Sequence, residues 1–232
     1  MYKLISALTV ASMLFINGCS SSSKKASPLD SQWQGKGKSY TYKKFTKPKK
    51  WAPGQYVVLG NINDGEKESI TKTLIVRKER GGWVIESITT NADKEVTGMQ
   101  MLIKGYETAV NKKDTSLIKV EWVKILQKDG KVDKIDGQAM VLYSVMMKSA
   151  LEKMVISATS FSSGGAVSVP AGNFAGTTVA STSVKILFKT FKQTSWMHPD
   201  VPVNGVVKSA SDDNENISEL IDFGFNGKPV IQ

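Results

Sequence analysis

The sequence predicts an α+β protein that is mainly β: a curved antiparallel sheet with one helix on its concave face. Three observations predict it. Short runs rich in β-branched and aromatic residues alternate apolar with polar positions, as a half-buried strand requires. Gly, Asn, Asp and Pro separate those runs, and Gly81-Gly82 and Asp129-Gly130 stand where hairpins turn. One stretch alone, Gln138 to Met154, combines helical spacing with good helix formers and contains neither Gly nor Pro.

In chain order, Met1 to Lys3 carries one positive charge and Leu4 to Ile16 carries none. These read as the charged and apolar regions of an export signal, too short for a spanning helix of about 20 apolar residues. Ile16-Asn17-Gly18-Cys19 follows, then four serines. This stretch resembles the lipobox of bacterial lipoproteins. The resemblance implies a signal peptide over 1–18 and acylation of Cys19, traceable by palmitate labelling. With Ser20 in place of Asp after the cysteine, it implies an outer-membrane anchor with the body facing the periplasm. Acylation also accounts for a lone cysteine that has no disulfide partner.

Residues 20–50 hold nine lysines and one acid, while 51–232 hold 21 basic and 20 acidic side chains. The net charge of +10 is thus a property of the N-terminal segment, not of the body. A Ser/Lys/Gly-rich segment buries too little apolar area to offset its ordering entropy, so 19–50 is expected to be a lipidated, flexible linker. Its lysines serve as solvated spacers or as contacts to anionic headgroups. Residues 51–232 are then a single β-rich periplasmic domain.

Within that domain the patterns predict strands over 55–59, 69–78, 83–91, 96–103, 117–127, 132–135, 167–169, 177–194, 203–209 and 217–225. On the predicted helix, Met140, Tyr143, Met147, Leu151 and Met154 form one stripe, widened by Val141, Val145 and Met146. So broad an apolar face has to be covered, most economically by the sheet. The stripe is the candidate lining of a hydrophobic ligand site, and core filling is the plainer reading of the same residues.

"VSVPAGNFAGTTV" (167–179), "VPVNGVVKSA" (201–210) and "ELIDFGFNG" (219–227) resemble strand lead-ins of periplasmic β-proteins. With the signal and the inner helix, the body resembles the half-barrel of periplasmic lipoprotein carriers and outer-membrane lipoprotein receptors. In those proteins the cavity under the helices holds acyl chains. The resemblance implies the half-barrel, and it makes lipid binding an expectation that the fold alone does not establish.

Catalytic chemistry finds little support. His198 is the single histidine; it sits in a "HPD" turn context, and no Gly-x-Ser-x-Gly elbow accompanies the serines. "QWQGKGKS" (32–39) ends like a phosphate-binding loop but carries Gln32 where that motif needs Gly. One histidine and one cysteine cannot build a zinc site, and the Asp spacing over 129–137 misses the calcium-loop pattern. No metal, cofactor or nucleic-acid partner is expected.

Two readings remain, neither enzymatic. One is a membrane-anchored envelope lipoprotein binding an acyl chain or hydrophobic ligand between helix and sheet. The other is a structural or accessory interaction subunit of an envelope protein assembly, with a filled core.

Overall fold

The structure is a computed structural model that describes residues 29–43, 45, 49–108, 114–140, 157–186 and 189–232. Its strands are β1 (Ser39–Tyr40), β2 (Tyr56–Asn63), β3 (Glu66–Glu79), β4 (Gly82–Asn91), β5 (Val96–Lys104), β6 (Lys119–Leu126), β7 (Val132–Ile135), β8 (Ser157–Val169), β9 (Gly172–Ile186), β10 (Lys189–Met197), β11 (Val206–Ser211) and β12 (Asn216–Gly224). They form one sheet ordered β1-β9-β10-β11-β12-β2-β3-β4-β5-β6-β7, with β8 also on β9.

The sheet is two meanders. β2 to β7 pair in sequence, as do β8 to β12, and β12 joins the two by pairing antiparallel with β2. Among the described strands all pairings are antiparallel except β1 on β9, which is parallel. The β2–β3 and β3–β4 turns place Asp64 (φ 49) with Gly65 (φ 80) and Arg80 (φ 48) with Gly81 (φ 77) in the left-handed region. That is the backbone of tight hairpin turns, which match the twist of their strands.

The sheet curls back on itself. Ala171, in the β8–β9 turn, donates its N–H to Leu220 O of β12 at 2.9 Å, although β10 and β11 intervene in the sheet. Phe174, Ala171, Val207 and Leu220 thereby join Val57, Leu59, Ile75, Trp83, Ile85 and Ile103 in one core on the inner face.

The outer face is covered too, by the two flanking segments. Residue 60 faces outward, and Trp33 lies so close over it that a Cβ there would sit 2.2 Å from the indole. Leu29 (1% exposed) packs with Trp33 on Ile70, Ile221 and Val58. At the other end, Ile231 (2% exposed) packs on Ile88 and Leu126.

Four expectations change. The linker expected through residue 50 gives way to folded structure from Leu29: a 3-10 turn (Asp30–Trp33), then β1. Two of its described lysines form ion pairs with the body, Lys36 to Asp222 at 2.5 Å and Lys43 to Asp200 at 2.9 Å. The strand expected over 177–194 is two, β9 and β10, paired along their length. β8 runs from Ser157, ten residues earlier than its predicted start.

The predicted helix is described only at its beginning. Residues 137–140 make one helical turn, and Met140 is 4% exposed. Cys19, Tyr143, Met147, Leu151 and Met154 lie outside the described residues.

Candidate functional site

The inner face is divided along the strands. At one end it is aromatic. The Trp51 ring stacks on Tyr106 (centroids 3.6 Å, interplanar angle 8°) and meets Trp83 edge-on at 6.2 Å. Trp51 Nε1 donates to Val203 O at 3.0 Å, so its one polar atom is satisfied in the core. Burial pushes the Tyr106 phenol well above its ordinary pKa. Tyr40 stacks on Phe174 at 4.3 Å, with Phe223 beside them. These rings pack with the buried aliphatic side chains of the inner face at this end.

Toward the other end the inner face becomes a band of small polar side chains. Register brings Ser209, Ser218 and Asn61 opposite one another across β11, β12 and β2, then Asn61 opposite Ser69 and Thr71 opposite Thr89. Asn61 organises the band: it accepts from Ser218 Oγ (2.8 Å) and donates to Ser69 Oγ (3.0 Å) and Thr71 Oγ1 (3.2 Å). Thr71 and Thr89 hydroxyls meet at 3.0 Å. Ser209, Ser69 and Ser218 are 0%, 1% and 2% exposed. Among the described residues the Ser209 hydroxyl has no hydrogen-bond partner, an expensive state for a buried group. Half-buried Met99 and Met101 flank the band, opposite Ser87 and Ile85.

His198 is a fastener. It is fully buried, 5.4 Å edge-on from Phe174. Its Nε2–H donates to Thr41 O (3.1 Å), and Nδ1 accepts the Asp200 N–H (3.3 Å). Both ring nitrogens are thus spent on backbone, and they tie the segment after β1 to the 198–205 loop. Burial holds the imidazole pKa below its ordinary value, outweighing the Thr41 carbonyl and Asp200, which act the other way.

On the outer side, a cleft of about 530 Å³ opens between the β3–β4 hairpin and β6–β7, with Arg77, Arg80, Glu121, Trp122, Lys134 and Asp136 in its walls. Its charges are internally matched. Arg77 binds Glu79 at 2.7 Å and holds that carboxyl below the usual carboxylate range. Lys134 binds Asp136 at 2.5 Å, and Arg80 lies 3.8 Å from Glu121. This is a mixed-charge surface, not an anion trap.

Among the described residues no three His, Cys, Asp or Glu side chains are grouped to hold a metal ion. Among them, too, no helix is long and apolar enough to cross a membrane. Of the predicted ligand-lining stripe the structure places Met140 alone. Sequence reading missed the polar band; its signal was the run of inward Ser and Thr at alternate positions, Ser69, Thr71 and Thr73.

No family model matches the chain, and no curated protein matches it. Three solved structures are loosely similar. One is a protein described as exported, with a YmcC-like fold, from Bacteroides fragilis: 11% identity, TM-score 0.34, covering 75% of this chain and 96% of that one. The second is described as a lipoprotein from Parabacteroides distasonis: 14% identity, TM-score 0.38, with the same coverage, 75% and 96%. The third is the MucA/MucB complex of Pseudomonas aeruginosa: 9% identity, TM-score 0.38, covering 76% of this chain and 53% of that one.

Proposed function

We propose that the protein is a lipid-tethered envelope protein that works without catalysis, as an interaction subunit presented on the periplasmic side of the outer membrane. The lipobox-like stretch ending at Cys19 supports the tether. The observation that carries the interaction reading is the aromatic end of the inner face, where Trp51, Trp83 and Tyr106 pack against each other and against the core; a ligand site would need space there.

The tether is shorter than composition suggests. With Leu29 buried in the body, nine residues lie between it and Cys19, ten Cα-to-Cα steps in all. They span at most about 33–36 Å, which keeps the body close to the membrane.

A second reading keeps a hydrophobic ligand between helix and sheet. It is favoured by half-buried Met99 and Met101 on β5 and by the Ser209 hydroxyl on β11, which has no hydrogen-bond partner among the described residues. A fluorescent fatty-acid titration of the protein separates the two. The interaction reading expects no saturable binding. Saturable binding that Met147→Ala abolishes would establish the ligand reading instead.

A further inference from the structure

The segment after β12 is held as a ligand is held. It leaves Gly224 and crosses the outer face over β3, β4, β5 and β6. Gly227 N–H donates to Gly54 O at 2.9 Å, and Lys72 Nζ lies 3.4 Å from Lys228 O. Glu86, on β4 and 1% exposed, then takes two successive backbone amides, Val230 N–H on Oε1 (2.9 Å) and Ile231 N–H on Oε2 (2.8 Å). Gln100, opposite it on β5, donates Nε2–H to Ile231 O (2.8 Å) and to Glu86 Oε2 (3.1 Å). Ile231 fills the recess between Ile88 and Leu126, and Lys124 Nζ closes the row on Gln232 O at 2.6 Å. Val230, by contrast, points out, 54% exposed.

A buried carboxylate with no cation beside it among the described residues is costly unless its oxygens are filled by donors. Here three donors fill them, and two belong to the strap. The strands therefore carry a preformed acceptor whose complement is the N–H pair of an extended peptide. It reads the backbone and one aliphatic side chain, with a cation for the carbonyl that follows. That division of labour, main chain for affinity and one pocket for selectivity, is how strand-like peptides are recognised.

We infer that Glu86, Gln100, Lys124 and the Ile88/Leu126 recess form a peptide-binding groove, which the chain's own 227–232 segment occupies in the structure. Its ligand class is an extended peptide with an aliphatic residue in the position of Ile231. The strap gates the groove, and a peptide of this chemistry from another chain enters when the strap leaves.

The test uses the full chain carrying Ile231→Asp, which expels the strap from the recess and leaves every strand intact. A fluorescein-labelled peptide of sequence NGKPVIQ is titrated by anisotropy. Saturable binding to the variant is expected, with little to the unaltered chain, whose groove is filled. The same peptide with Asp in place of Ile should bind at least about tenfold more weakly, as loss of one buried aliphatic side chain requires. Adding Glu86→Ala to the variant should abolish binding. A folded Ile231→Asp chain that ignores the peptide overturns the proposal, as does equal binding to the unaltered chain. If the variant does not fold, amide exchange on the unaltered chain decides. Exchange of the Val230 and Ile231 amides by local opening, below the global unfolding energy, supports a gate. Exchange only through global unfolding makes the strap a fixed structural element and ends the proposal.

Discussion

The N-terminal cover of the outer face offers the sharpest test of the fold, because Leu29 and Trp33 stand where a solvated spacer was expected. Leu29 is 1% exposed among Ile70, Ile221, Trp33 and Val58. Leu29→Ala removes a buried side chain and leaves a cavity, at a cost of about 2–4 kcal/mol. For a domain of this size that lowers Tm by roughly 2–4 °C per kcal/mol. Gly60→Ala attacks the same contact from the sheet. Its Cβ would lie 2.2 Å from Trp33 Cζ2 and 2.7 Å from Ile221 Cδ1, far inside contact distance. Forcing Trp33 aside should cost about 1–3 kcal/mol. In a Trp33→Ala background the nearest clash is gone, so Gly60→Ala should become milder, with a coupling energy of about 1–2 kcal/mol. Urea titrations of the four chains in that cycle, and of Leu29→Ala, provide the assay, read as midpoint shifts at constant m. Unchanged midpoints for Leu29→Ala and Gly60→Ala, or additive effects of Trp33→Ala and Gly60→Ala, would refute the packing of this segment.

Other consequences are as direct. Glu86→Gln keeps one acceptor but turns an amide toward an N–H, so it should destabilise by about 1–3 kcal/mol and speed amide exchange at Val230 and Ile231. His198 is held neutral by burial, with its folded pKa below the unfolded value of about 6.5. Its contribution is therefore full above that value and is lost as pH falls through it toward the folded pKa, since the unfolded chain takes the proton first. Denaturant midpoints from pH 8 to 5 should show this slope in the unaltered chain and lack its His198 component in His198→Gln. Cys19→Ser should abolish palmitate incorporation, and continued labelling would remove the lipoprotein reading.

What the sequence revealed follows the physics of each signal. β4, β5 and β7 were legible nearly to the residue, because alternation and turn residues bound them on both sides: Gly81, Asn91 to Asp93, Gly105, Gly130 and Asp136-Gly137. The boundary between β9 and β10 was invisible: the sequence from Ile186 to Lys189 offers no Gly, Pro, Asn or Asp to break the pattern. The early part of β8, "SATSFSSGG", has low strand propensity and is held by its long pairing with β9. The N-terminal cover was hidden because two apolar residues, Leu29 and Trp33, do its packing within a polar stretch. For the same reason Ile231 gave no sign of the strap. Alternation also could not show that both faces of β3 are covered. Ile70 and Leu74 meet the flanking segments outside, while Thr71 and Ile75 face inward. That depends on segments distant in sequence, which no local pattern reports.

The central claim is a body anchored through Cys19 whose interior is its own side chains. Native mass spectrometry of the protein extracted from membranes tests it most directly. The account predicts a chain beginning at Cys19 that carries the mass of its covalent acyl groups and no further lipid. It also predicts a heavier species that separates into this chain and a protein partner on activation. An unacylated cysteine, or one additional lipid retained per chain after gentle activation, would contradict it.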